Sequence, residues 1–326
     1  MAFSMAIVMA LAFAVTNGFH DAANAIATLV ATRAARPLPA VVFASIFNLL
    51  GPFVVGAAVA DTISHIVQLP ASDTIPVVGA GLTGAVIWNT VTWTRGLPAS
   101  SSHALVGGLV GAALVAAGPG AVSWGTVGKV LAALAIAPLV SFVVSLATQA
   151  AGRRALRRAT VRVGRSIRGA QWVASGWLAF SHGSNDAQKA IGIIGALLLA
   201  HGDIDTLTAP TWAVVGCSLA LTAGTALGGW SIVRTIGARI VRLRPLDGLS
   251  TQVSSAVVIL AASFAGAPVS TTQVVSSSVV GTGVGRGHHR RIRWQVVREI
   301  ALAWVTTPPA AALLAALALP LWRWIA

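Results

Sequence analysis

The sequence predicts an all-α, polytopic membrane protein with about ten to twelve transmembrane or half-helical segments in two repeats of inverted topology. Three observations lead there. Charge is too scarce to cover a soluble surface, apolar stretches of membrane-crossing length recur from end to end, and the chain carries an internal duplication whose copies differ in loop charge.

Of the 326 residues, 56% are hydrophobic and only 9% are charged. A soluble domain carries roughly a quarter of its residues charged. Each apolar stretch is about long enough to cross a hydrocarbon core of roughly 30 Å as a helix. Lipid offers no partner to a free backbone N–H or C=O, so such stretches must be helical. The strict alternation of barrel strands is absent. The net charge of +14 would suggest nucleic-acid binding in a soluble protein. Here the arginines cluster between apolar spans, as the positive-inside rule requires, and no nucleic-acid partner is expected. Cys217 is the single cysteine, which excludes an internal disulfide, a cysteine zinc site and an iron–sulfur cluster. No Lys or Arg precedes Arg33, so the first apolar stretch is expected to be a genuine span rather than a cleaved leader.

Ten apolar segments are expected, at about 3–32, 38–60, 74–94, 97–117, 122–149, 170–200, 210–230, 249–265, 268–284 and 294–322. A basic connector at 150–169 holds seven arginines from Arg153 to Arg168 and separates repeats at 1–149 and 170–326. A shift of 165 residues lays Asn17 to Ile26 on His182 to Ile191, matching Gly18, Asp21, two alanines and Ile26. A shift of 170 lays Gly96-Leu97-Pro98 and Ser100-Ser101-Ser102 on Gly266-Ala267-Pro268 and Ser270-Thr271-Thr272. Two motifs in the same order at nearly the same offset mark a duplication, the usual construction of secondary transporters. The loop after the first motif carries Arg33 and Arg36, and its counterpart carries Asp203 and Asp205. The next loop carries Asp61 and Asp73, and its counterpart carries Arg234, Arg239, Arg242 and Arg244. Opposite loop charge predicts opposite orientation, with the basic loops cytoplasmic and both termini outside. If the Gly-x-Pro segments are hairpins rather than crossings, the helix count rises and the inversion stands.

Among the eight acids, only Asp21 and Asp186 lie within apolar segments at duplicated positions. A carboxylate at membrane depth costs about 3 kcal/mol or more, which marks a functional site. Asp247 and Glu299 sit beside arginines and read as structural partners. The weak helix formers Thr16-Asn17-Gly18 and Ser181-His182-Gly183-Ser184-Asn185 predict that both Asp-bearing helices are broken there, freeing carbonyls. Such carbonyls, with Asp21, Asn24, Asn185 and Asp186, would suit a hard cation such as Na⁺. Ser100, Ser101 and Ser102, and Ser270, Thr271 and Thr272, follow Pro at a helix start. Capping accounts for one hydroxyl in each cluster; the rest, with helix-terminal N–H groups, can donate to a tetrahedral oxyanion. Two carboxylates repel such an anion until a cation binds, which gives a physical reason for coupling. Lys189 could touch the anion or pair with Asp186, and His103 and His182 could relay protons.

The strings NGFHDAANAIAT, FSHGSNDAQKAIGIIG, GLPASSSH and GAPVSTTQ resemble the inorganic phosphate transporter family, and the likeness spans essentially the whole chain. That resemblance implies a multi-pass plasma (inner) membrane protein, not an enzyme. It would import inorganic phosphate, free or as a divalent metal complex, by cation symport, without a cofactor and as a homodimer. It carries site roles to Asn17, Asp21, Asn24, Asn185, Asp186 and both hydroxyl clusters. One departure is His20, where many sodium-coupled members have Asn; His there resembles the bacterial low-affinity permease branch, associated with proton coupling or metal-phosphate uptake. The expected driving ion is therefore H⁺, with Na⁺ as the alternative. Sulfate symport on the same fold is a rival reading. An intramembrane serine protease using Ser101 or Ser102 with His103 is a remote one, since the second copy has Gln273 in place of the histidine.

Overall fold

The computed structural model describes residues 1–160, 162–287 and 289–326. Its regular structure is helical. The first half runs α1 (Ala2–Ala31), α2 (Pro37–Leu50), α3 (Ala58–Ser64), α4 (Ala71–Thr94), α5 (Ser101–Ala117) and α6 (Trp124–Ala155). The second runs α7 (Val163–His201), α8 (Thr211–Leu227), α9 (Trp230–Arg234), α10 (Pro245–Phe264), α11 (Thr271–Gly285) and α12 (Trp294–Ile325). Five of these, α1, α4, α6, α10 and α12, are long and apolar enough to cross a membrane. The α2–α3 pair bends by 75° and the α8–α9 pair by 62°, and each can count as one further span.

The two halves interlock. Helix α1 packs on α8 while α7 packs on α2, and α5 packs on α12 while α11 packs on α6. The first contacts are close enough to require glycine. A Cβ on Gly18 would lie 2.1 Å from the Leu221 carbonyl oxygen, and one on Gly183 would lie 2.1 Å from that of Asn48.

That observation corrects one expectation. Neither α1 nor α7 breaks at its motif; both run unbroken through Asp21 and Asp186. The glycines serve close helix packing, and the hydroxyls of Thr16, Ser181 and Ser184 bond to carbonyls of their own helices, so nothing forces the backbone open. The interruptions fall elsewhere, at the bends after α2 and α8 and at the Gly-x-Pro turns. There Gly96 and Gly266 adopt φ of 63° and 67°, the left-handed turn that lets α4 and α5, and α10 and α11, fold back as hairpins. Within the basic connector, α6 ends at Ala155 and α7 begins at Val163.

Contacts sort the loops into two ends. At one end Thr32 donates to Gln171 at 2.7 Å and Arg153 to the Gly285 carbonyl at 3.2 Å. Asp247 is held there by Arg286, by Gln149 at 2.8 Å and by the Arg244 amide at 2.8 Å, a structural partner as expected. At the other end Phe3 stacks on His201, Gln68 bonds to Ala121, and Arg323 donates to Ala116.

Candidate functional site

Midway along the bundle, α1 and α7 bring their carboxylates to the starts of α5 and α11. Asp21 and Asp186 are each 1% exposed, and Lys189 beside them is 0% exposed. Asp21 accepts from Ser101 Oγ at 3.1 Å, from Thr271 Oγ1 at 3.3 Å and from Thr272 Oγ1. Its other neighbour is His20, whose Nδ1 lies 3.3 Å from Oδ1. Asp186 is bound by Lys189 Nζ, and its Oδ2 lies 3.2 Å from Thr271 Oγ1. One hydroxyl, that of Thr271, therefore sits between the two carboxylates and has a single proton to give. Asn24 Nδ2 donates to Thr271 and Thr272 at 3.2 and 3.1 Å, which fixes their oxygens as acceptors.

The local sequence explains this placement. Ser100 and Ser270 are the N-caps of α5 and α11, accepting from the His103 and Gln273 amides. Capping thus uses one hydroxyl of each cluster. The next residues, Ser101 and Thr271, occupy the first helical turn and point at the carboxylates. Two helix N-termini converge on the same point, and their free N–H groups and dipoles favour an anion. Ser102 instead ties the hairpins together, donating to the Val269 carbonyl at 2.9 Å.

The histidines are positioned by groups the sequence motifs did not include. Thr92 donates its hydroxyl proton to the carbonyls of Trp88 and Asn89, so its oxygen accepts from His20 Nε2 at 3.2 Å. Asn48 donates Nδ2 to Thr225 at 2.9 Å and turns Oδ1 to His182 Nδ1 at 2.8 Å. His182 Nε2 then lies 2.9 Å from Asp186 Oδ2 without the alignment of a hydrogen bond. Asn48 and Thr92 were legible only as polar residues inside apolar stretches.

A profile described as the phosphate transporter family matches residues 17–315. The chain belongs to that family. It resembles a probable low-affinity inorganic phosphate transporter of Mycobacterium bovis, with 40% identity over 95% of this chain and 75% of the relative. Relatives of the same description from Rhizobium meliloti and Bacillus subtilis are 40% and 37% identical, over 95% and 96% of this chain and 93% and 94% of theirs. A solved structure described as the sodium-dependent phosphate transporter covers all of both chains with a TM-score of 0.88 at 24% identity. That likeness speaks to the fold. As a member of the phosphate transporter family, this chain is a multi-pass membrane transport protein and not an enzyme. His103 Nδ1 lies 2.7 Å from Ser100 Oγ, the capping serine.

Asn17 and Asn24 share the face of α1 with Asp21. Both side-chain atoms of Asn17, and Oδ1 of Asn24, are buried without a protein partner. Asn185 behaves differently. It donates to Ser263 at 3.0 Å and to the Ala267 carbonyl at 3.2 Å, and accepts from the Val269 amide, so it anchors the α10–α11 turn. Asp21, His182 and Asp186 present ligand atoms within 4.8 Å of one another.

Proposed function

We propose that the chain imports inorganic phosphate with a cation, a proton by preference, by alternating access between two inverted repeats at 1–149 and 170–326. The observation that carries this reading is the meeting of Asp21 and Asp186, one from each half, on the hydroxyls at two helix starts. Those hydroxyls donate to the carboxylates now. An incoming phosphate needs the same donors. A proton or metal cation on Asp21 stops that oxygen from competing, releases Ser101, Thr271 and Thr272 to the anion, and removes charge repulsion at once. Phosphate fits better than sulfate because it can also donate a proton to a carboxylate. The unpaired Asn17 supports a site that is completed by something other than protein.

The preference for H⁺ rests on His20. With Nε2 donating to Thr92, Nδ1 faces a carboxylate oxygen, and that contact closes only around a proton. Na⁺ has support of its own: the unpartnered oxygens of Asn17 and Asn24 beside Asp21 are hard ligands. ³²P-phosphate uptake into proteoliposomes, with pH and Na⁺ gradients imposed separately, decides between them. Absence of phosphate uptake under either gradient would overturn the transport reading.

The inverted arrangement is supported by loop position: the loop after α1 lies with Gln171 and Trp172, whereas the C-terminal end of α7 lies against Phe3 at the opposite end. Arg36→Cys and Arg242→Cys should label from the cytoplasm, and Asp73→Cys and Asp203→Cys from outside, each in Cys217→Ser protein. Labelling of positions 36 and 203 from one face would rule the inversion out.

Thr271→Ala should raise the KM for phosphate about three- to tenfold, the worth of a neutral hydrogen bond of about 0.5–1.5 kcal/mol. Thr271→Ser should stay near the parent value, since it keeps the hydroxyl. Parent-like KM in Thr271→Ala would move the anion elsewhere.

A further inference from the structure

The halves place different chemistry at two pairs of equivalent positions. The shift that lays Asp21 on Asp186 lays Asn17 on His182 and Asn24 on Lys189. On α1 the positions flanking Asp21 are open, because Asn17 Nδ2, Asn17 Oδ1 and Asn24 Oδ1 are buried and unpartnered. On α7 the lysine position is closed and the His182 position is half so, since its Nε2 is unpartnered 2.9 Å from Asp186 Oδ2. His182 is committed to Asn48 through Nδ1. Lys189, fully buried, donates to Asp186 Oδ1 and at 3.0 Å to the Val269 carbonyl. A carboxylate and a main-chain carbonyl are the hard oxygen ligands a small cation would take, and here they hold an ammonium.

We propose that Lys189 is a tethered cation: its ammonium fills the second half's counterpart of the cation site that the first half keeps open around Asp21. The inference rests on the cation-coupled reading above and adds a number to it, one mobile cation per phosphate instead of two. Neither carboxylate can be left bare at membrane depth when the anion arrives. Asp186 has its counter-charge covalently attached, so it contributes geometry, through Thr271, and no charge movement. Asp21 must wait for a cation from solution, whether a proton shared with His20 or a sodium ion among Asn17, Asp21 and Asn24. An exchange of one residue type for another in a single copy of the duplicated motif thus sets the stoichiometry of transport.

The test compares the parent, Lys189→Asn, Lys189→Arg and Asn24→Lys proteins, each purified and monodisperse, in proteoliposomes. Phosphate uptake and the charge that moves with it are measured together. Lys189→Asn gives the second half the residue of the first; it should carry one more positive charge per phosphate than the parent and depend more steeply on the driving cation. Lys189→Arg should keep the parent charge per phosphate. Asn24→Lys, the reverse exchange, should lose the response to the cation gradient. The parent charge ratio in a transporting Lys189→Asn protein overturns the proposal. So does loss of equilibrium phosphate binding in folded Lys189→Asn with recovery in Lys189→Arg, which would make the lysine an anion ligand. If Lys189→Asn does not fold, Asn24→Lys decides alone, and a full gradient response in it sinks the idea. Two mobile cations per phosphate in the parent would overturn this inference and leave the transport reading standing, whereas no phosphate uptake at all would overturn the latter.

Discussion

Asp21→Asn should abolish cation-driven phosphate uptake while leaving the protein folded. The substitution keeps shape and volume but removes the charge that holds a mobile cation. It also turns an all-acceptor group into one with two donors, opposite the hydroxyls of Ser101, Thr271 and Thr272. No buried positive charge is stranded, because Lys189 is paired with Asp186 and not with Asp21. The expected loss is about 100-fold or more in rate under an imposed cation gradient, equivalent to roughly 2.7 kcal/mol. Melting in detergent should stay within a few degrees of the parent. Uptake within a factor of two of the parent would remove Asp21 from the coupling site.

Asp186→Asn should behave differently, although the two positions are equivalent in sequence. It leaves the ammonium of Lys189 buried with only the Val269 carbonyl and an amide oxygen for company. Breaking a buried pair by removing one partner costs about 3–5 kcal/mol, because an uncompensated charge remains. The expected result is a melting temperature lower by roughly 5–15 °C, read by size-exclusion after heating. Asp186→Asn combined with Lys189→Met should regain most of that stability, since removing both charges leaves nothing stranded. Equal melting of the Asp21→Asn and Asp186→Asn proteins would show that Lys189 does not depend on Asp186.

Much of the site was readable in order along the chain. Asp21 and Asp186 stood out because lipid makes a buried carboxylate expensive, and the hydroxyl clusters stood out because three in a row exceed what a cap uses. The broken helices were misread for a definite reason. Weak helix formers such as Asn17, Gly18 and His182 bias an isolated segment against helix, but in the folded bundle Gly18 and Gly183 are the points of closest helix approach. Packing outweighs a propensity difference of less than about 1 kcal/mol per residue. Asn185 was grouped with the cation ligands, and its bonds to the α10–α11 turn were not legible in the sequence.

The sequence by itself determined the membrane-spanning helical class, the repeated motifs, the distribution of loop charge and the presence of two carboxylates within apolar spans. Each of these follows from residue type and spacing, because the bilayer imposes length, apolarity and hydrogen-bond closure on every span independently. Only the tertiary structure decided which groups meet. That Thr271 stands between Asp21 and Asp186, that Thr92 and Asn48 orient the histidines, and that Lys189 reaches the Val269 carbonyl all depend on contacts between residues far apart in the chain. Those contacts arise from the crossing of α1 and α7 with hairpins drawn from the opposite ends of the chain, and a periodicity read along one segment carries no information about its distant neighbour.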